Sequence, residues 1–141
     1  MAIFFHALDA DPRLKHKNAL KRWISDCISG ENKKPGAINV IFCSDEHLLE
    51  MNRTHLDHDY YTDIITFDFS EANVVSGDLY ISLDRVKDNA IKNASSFQNE
   101  TYRVIIHGVM HLCGYKDKQK NEILAMRQQE EKCLAKIQNY I

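Results

Sequence analysis

His107 and His111 stand four residues apart in the stretch HGVMHLCGYKD, with Gly114 and then Asp117 behind them. On a helix, residues four apart are separated by about 40° around the axis, so both imidazoles leave one face. Two ligands of one metal ion need that arrangement. Ile105, Ile106, Val109, Met110 and Leu112 surround the pair, an apolar shell that limits water and favours cation binding. Gly114 breaks the helix, and a chain that turns back after a C-capping glycine can return a side chain to the same point. Asp117 is three residues beyond. The pattern H-x-x-x-H-x-x-G-x-x-D thus offers two nitrogens and one carboxylate oxygen.

Three protein ligands with an open fourth position describe a catalytic zinc site, where bound water reaches a pKa of about 7. Nickel, cobalt or iron would also accept such an N2O set. The competing reading is a helix whose two histidines are ordinary core or surface residues. Metalloproteases with this histidine spacing place a glutamate after the first histidine, as general base. Here that position is Gly108. Either another residue replaces the base, or the substrate is not a peptide.

The elements that must position these residues are legible from periodicity. Residues 3 to 8 suit a strand. A helix follows through ADPRLKHKNALKRWISDCISG, with Asp11 as N-cap, Pro12 at its first position and Gly30 at its end. Leu14, Leu20, Trp23, Ile24, Cys27 and Ile28 share one face of it at a 3.6 period. ENKKPG reads as a loop and residues 37 to 44 as a β-branched strand. SDEHLLEMN is a short helix capped by Ser44, and RTHLDHDYYTD a surface loop. Strands follow at 64 to 70 and at 77 to 84, where Leu79, Ile81 and Leu83 alternate with Tyr80 and Ser82. Three helical segments close the chain. The order β-α-β-α-β-β-α-α-α predicts an α+β fold: a small mixed four-stranded sheet packed against about five helices, with the metal site at the histidine helix.

At this point HGVMHLCGYKD resembles the signature of the YbeY family of bacterial endoribonucleases, H-G-x-L-H-L-x-G-Y-D-H. His107, Gly108, His111, Leu112, Gly114 and Tyr115 match it, Asp117 takes the place of the third histidine ligand, and Lys116 that of an aspartate. A second family block, N-x-x-x-R followed by T-D-V-L-S-F, is similar to NRTHLDHDYYTDIITF, where Asn52, Thr62, Asp63 and Phe67 correspond. A third, G-D-I-x-I-S, is similar to GDLYIS at 77 to 82. The three blocks are collinear over most of the chain.

The resemblance implies a zinc-dependent, single-strand-specific endoribonuclease of small-subunit rRNA maturation and ribosome quality control. Its partners would be single-stranded rRNA and the small ribosomal subunit with its proteins. His107, His111 and Asp117 would hold one zinc ion. Aspartate in place of histidine lowers the site's charge by one, which bears on activation of bound water. The family's arginine, implied to handle the phosphate, falls at Leu56, with Arg53, His55 and His58 nearby. Tyr60 and Tyr61 could stack on bases or simply pack, and Asp63 and Asp78 are second-shell groups, bases or caps; the catalytic residue stays unassigned. Two alternatives remain: an assembly factor with a structural metal, and a metalloprotease-like hydrolase.

Composition bounds all three. The 141 residues, 44% hydrophobic and 27% charged, are expected to form one domain, 1–141, with a real core. The net charge of −2 does not announce a nucleic-acid binder by bulk electrostatics. A local run holds Arg13, Lys15, Lys17, Lys21 and Arg22, either a solvated helix face or a phosphate-contacting patch. Cys27, Cys43, Cys113 and Cys133 form no CxxC; Cys27, Cys43 and Cys133, among apolar neighbours, read as buried thiols. No apolar run approaches the roughly 20 residues of a membrane span, and the start lacks the marks of a signal peptide. A cytoplasmic protein with no membrane partner is expected.

Overall fold

The computed structural model describes residues 2–58 and 61–141. Its elements run β1 (Ala2–Ala7), α1 (Lys17–Ser29), β2 (Lys34–Cys43), α2 (Asp45–Leu56), β3 (Ile64–Asp68), β4 (Val74–Ser82), α3 (Leu83–Lys92), α4 (Phe97–Leu112) and α5 (Lys120–Ala135). A 3-10 turn at Ile137–Asn139 follows. This is the expected order and the expected mixed four-stranded sheet. The strands lie as β1-β2-β4-β3, with β3 antiparallel to β4 and the other pairs parallel.

Several boundaries differ from expectation, and those below have a local reason. The first helix begins at Lys17, not at Pro12. The Asp11 carboxylate accepts the Arg13 N–H at 2.8 Å, a local turn that competes with helix. Arg13 and His16 then take φ of 52° and 59°, which a right-handed helix cannot contain. Strand β2 starts three residues early, and Pro35 is accommodated at a register shift between Pro35 and Ile38. Helix α2 runs through Leu56, into the segment read as loop, until Asp57 turns left-handed at φ 54°. Its acidic first turn, Asp45 and Glu46, and basic last turn, Arg53 and His55, complement the helix dipole. Strand β4 starts at Val74, and Ser82 ends it by accepting the Arg85 N–H as the cap of α3.

The core lies between the sheet and α1, α4 and α5. Ile38, Val40, Phe42, Leu79 and Ile81 from the sheet meet Leu20, Trp23, Ile24 and Ile28 of α1 and Tyr102, Ile105, Ile106 and Val109 of α4. Trp23 is fully buried and donates its indole N–H to the Cys133 carbonyl at 2.9 Å, tying α1 to α5. All four cysteines are buried and unpaired, and burial pushes the thiols of Cys43 and Cys113 up to about 12. Such thiols are packing groups rather than nucleophiles.

Helix α4 is buried on nearly every side. From Thr101 to Leu112 only Arg103, His107 and His111 escape full burial. They are spaced by four, so they form one stripe along one face. Gly108 lets the helix approach the sheet: a Cβ there would meet Ile64 Cδ1 at 2.6 Å and Leu79 Cδ2 at 3.0 Å. Among the described residues no helix is long and apolar enough to cross a membrane.

Candidate metal centre

The end of α4 explains how Asp117 reaches the histidines. Gly114 has φ 109°, a conformation L side chains rarely adopt. The Gly114 N–H reaches the His111 carbonyl and the Tyr115 N–H reaches that of Met110, both at 3.0 Å. The second of these is the six-to-one bond of a Schellman ending. The chain doubles back, and the Tyr115 carbonyl lies 2.9 Å from His111 Nδ1. The Tyr115 hydroxyl donates to Glu31 at 2.7 Å, which fixes the reversed segment against the loop after α1.

Three candidate ligand atoms converge as a result. His107 Nε2 and His111 Nε2 are 3.0 Å apart, and each is 3.2 Å from Asp117 Oδ2. A backbone carbonyl only accepts, so His111 Nδ1 carries its proton toward Tyr115. On the other ring, His107 Nδ1 lies 2.6 Å from Glu130 Oε2 and donates to it. In the neutral form of each ring the Nε2 lone pair therefore points inward, beside a carboxylate oxygen. Three electron-rich atoms at this spacing repel one another unless a cation lies among them. Ligands about 2.0–2.1 Å from a tetrahedral ion sit about 3.3 Å apart, so this donor set fits zinc. The three residues form a group that could hold a metal ion.

Glu130 is the residue that sequence reasoning missed. Its register was a signal: Met126, Glu130 and Cys133 share the buried face of the last helix, and one of the three is charged. Glu130 is only 5% exposed. Its second oxygen takes Arg103 at 3.4 Å, and Arg103 also reaches Glu131 at 2.8 Å and buried Glu100 at 3.7 Å. A carboxylate behind a ligating histidine sets its tautomer and orientation. Burial opposes a charge on His107, but the Glu130 hydrogen bond and the charges of Glu130, Asp63 and Asp117 outweigh it. The His107 pKa is held above the ordinary imidazole value.

A cleft of about 320 Å³ opens beside the ligands, lined by Asp63, Glu100, Arg103, His107, Asp117, Arg127 and Glu130 with neighbouring residues. Asp63 presents a half-buried carboxylate to it, and Asn89 donates to Asp63 Oδ2 at 3.3 Å. Burial raises the Asp63 pKa, against the opposing pull of His107.

The model of the endoribonuclease YbeY family matches residues 8–138. The chain belongs to that family. It is 43% identical over 139 residues to endoribonuclease YbeY of Azobacteroides pseudotrichonymphae, covering 99% of this chain and all of that one. The same enzyme of Parabacteroides distasonis is 48% identical over 135 residues, covering 96% and 95%. The solution structure of TM1509 from Thermotoga maritima superposes with a TM-score of 0.67 at 25% identity, over 94% of this chain and 88% of that one.

The YbeY blocks identified in the sequence separate in space. Asp63 joins the histidines at the cleft, but Leu56 does not. It lines a second groove of about 220 Å³ with Asn52, His58, Thr62 and Ile64. Arg53 faces Glu50 at 3.9 Å, and the His55 ring packs edge-on against Phe67. Neither of these, nor His58, is among the described residues lining the cleft. Asp78 accepts from Asn39 at 3.0 Å, within the sheet. The Tyr61 hydroxyl donates to Glu46 at 2.9 Å, and Arg85 stacks over its ring. Tyr60 lies outside the described residues.

Proposed function

We propose that this chain is a zinc-dependent endoribonuclease that cuts single-stranded ribosomal RNA during small-subunit maturation and ribosome quality control. One observation carries it: the inward-facing Nε2 atoms of His107 and His111 meet Asp117 Oδ2 at the edge of an open, charged cleft. Membership in the endoribonuclease YbeY family supports RNA as the substrate. The small ribosomal subunit and its proteins are the partners in this reading, in the cytoplasm. Bound at the three residues, zinc supplies Lewis-acid chemistry toward a phosphodiester.

The chain's own residues do the rest. Glu130 and the Tyr115 carbonyl hold the two imidazoles in the tautomer that leaves Nε2 free. Of the cleft carboxylates, Glu100 and Glu130 are engaged by Arg103, and Asp117 belongs to the candidate ligand set. Asp63 is left, held by the Asn89 amide and neighbouring backbone N–H groups with no cation paired to it among the described residues, to take or return a proton during the reaction. Gly108 argues against peptide hydrolysis. It abuts Ile64 and Leu79, so a glutamate there would be driven into the sheet.

The test is cleavage of a single-stranded ribosomal RNA fragment by untagged protein, beside His107→Ala and chelator-treated wild type. The expected result is cutting by wild type alone. Equal cutting by all three, or by none, sinks the enzyme reading. It would leave a ribosome-assembly factor with a structural metal, to be tested by binding to the small subunit.

A further inference from the structure

The cleft beside the candidate metal centre is lined by four carboxylates, Asp63, Glu100, Asp117 and Glu130, and by two arginines. A zinc ion at the candidate ligands would only bring this lining to about neutrality, so a phosphodiester entering it needs a further cation that is free to receive it. Arg103 is not free. It lies 2.8 Å from Glu131, 3.4 Å from Glu130 and 3.7 Å from Glu100, and these carboxylates raise its pKa against burial. Arg127 differs. It is exposed, it lines the same cleft, and among the described residues it makes no ion pair.

Helical geometry fixes where Arg127 stands. Ile123, Met126, Arg127 and Glu130 line the cleft from α5 at the spacing i, i+3, i+4, i+7, one face of one helix. Arg127 is therefore one turn from the carboxylate that holds His107. A guanidinium there can offer two parallel N–H groups to phosphate oxygens without first leaving a protein partner.

We infer that Arg127 is the substrate-phosphate contact of this cleft, with Arg103 a structural cation that fixes Glu130. This deepens the endoribonuclease reading and rests on it for the identity of the anion, an RNA phosphodiester.

The experiment uses zinc-loaded protein and a labelled single-stranded oligoribonucleotide, with cleavage kinetics and equilibrium binding measured across a salt series. Variants are Arg127→Ala, Arg127→Lys and Lys132→Ala, the last removing a charge from the same helix outside the cleft. Arg127→Ala is expected to raise KM and Kd about tenfold and to flatten log Kd against log salt by about 0.7, one single-strand phosphate contact. Arg127→Lys should recover part of the loss, and Lys132→Ala should stay within about twofold of wild type. Melting temperatures report whether each variant is folded. Wild-type KM, Kd and salt slope in folded Arg127→Ala overturn the inference, as does an equal loss in Lys132→Ala. If wild type binds RNA without cutting it, the enzyme reading fails, while weaker binding by Arg127→Ala still upholds the contact. If wild type neither binds nor cuts, both fall.

Discussion

Asp63 faces the cleft beside His107, while its neighbours Thr62 and Ile64 line the separate groove that holds Leu56. Asp63 sits at a bend just before β3, so one short segment serves two recesses. The cleft gathers four carboxylates, two arginines and a histidine whose Nδ1 is held by a buried glutamate. The groove, among the described residues, has no carboxylate or arginine lining it. The residues that could hold a metal, and the charges around them, thus lie on one side of this segment. Leu56 falls on the other side.

The largest expected break in that contrast is His107→Ala. Loss of one of three ligands should lower RNA cleavage at least about a thousandfold, on the order of 4 kcal/mol in activation free energy. It should also lower bound zinc well below one ion per chain, measured by elemental analysis; full zinc with full activity would contradict the ligand assignment. Next is Gly108→Glu. Its side chain has nowhere to go between α4 and the sheet, so stability should fall by about 3 kcal/mol, read from urea unfolding. An unchanged midpoint would reopen peptide hydrolysis.

Glu130→Gln keeps the shape but removes the charge behind His107. Zinc affinity should drop about 10- to 100-fold, measured by competition with a chromophoric chelator, and an unchanged affinity would make Glu130 a packing residue only.

A smaller effect, with a defined sign, is expected at Asp63. Its folded pKa is raised above 3.8 by burial, so the folded state holds this proton more tightly than the unfolded chain. Stability from that proton is full below the unfolded pKa and is lost as pH rises through the folded one. Asp63→Asn should therefore cost cleavage while metal-free protein melts above wild type at neutral pH. The gap should close toward about pH 4; a variant that melts lower at neutral pH would show Asp63 to be a structural carboxylate. The smallest effect is Leu56→Arg. An arginine in the groove should change kcat/KM by less than about threefold. A gain of tenfold or more would move the phosphate site to that side.

Much of the site was legible because its spacing is local. His107 and His111 share a face by helical geometry alone, and Gly114 marks the reversal that brings Asp117 back. Glu130 was not placed in the site, because 23 residues and a turn separate it from His107. Only its odd position between Met126 and Cys133 hinted at a buried partner. The start of α1 was misplaced for a related reason. Asp11 and Pro12 satisfy the rules for a helix start, but the Asp11 side chain spends its capping capacity on the turn at Arg13.

The order of elements, the α+β class and the three-ligand pattern follow from periodicity and short-range geometry, so the chain by itself determined them. Which charges are spent and which are free could not be read that way. Arg103 and Arg127 differ little as letters, yet one is bound by three carboxylates and the other faces the cleft with no ion pair among the described residues. Only the packing of α5 against α4 decides that, because ion pairs depend on distances between side chains far apart in sequence.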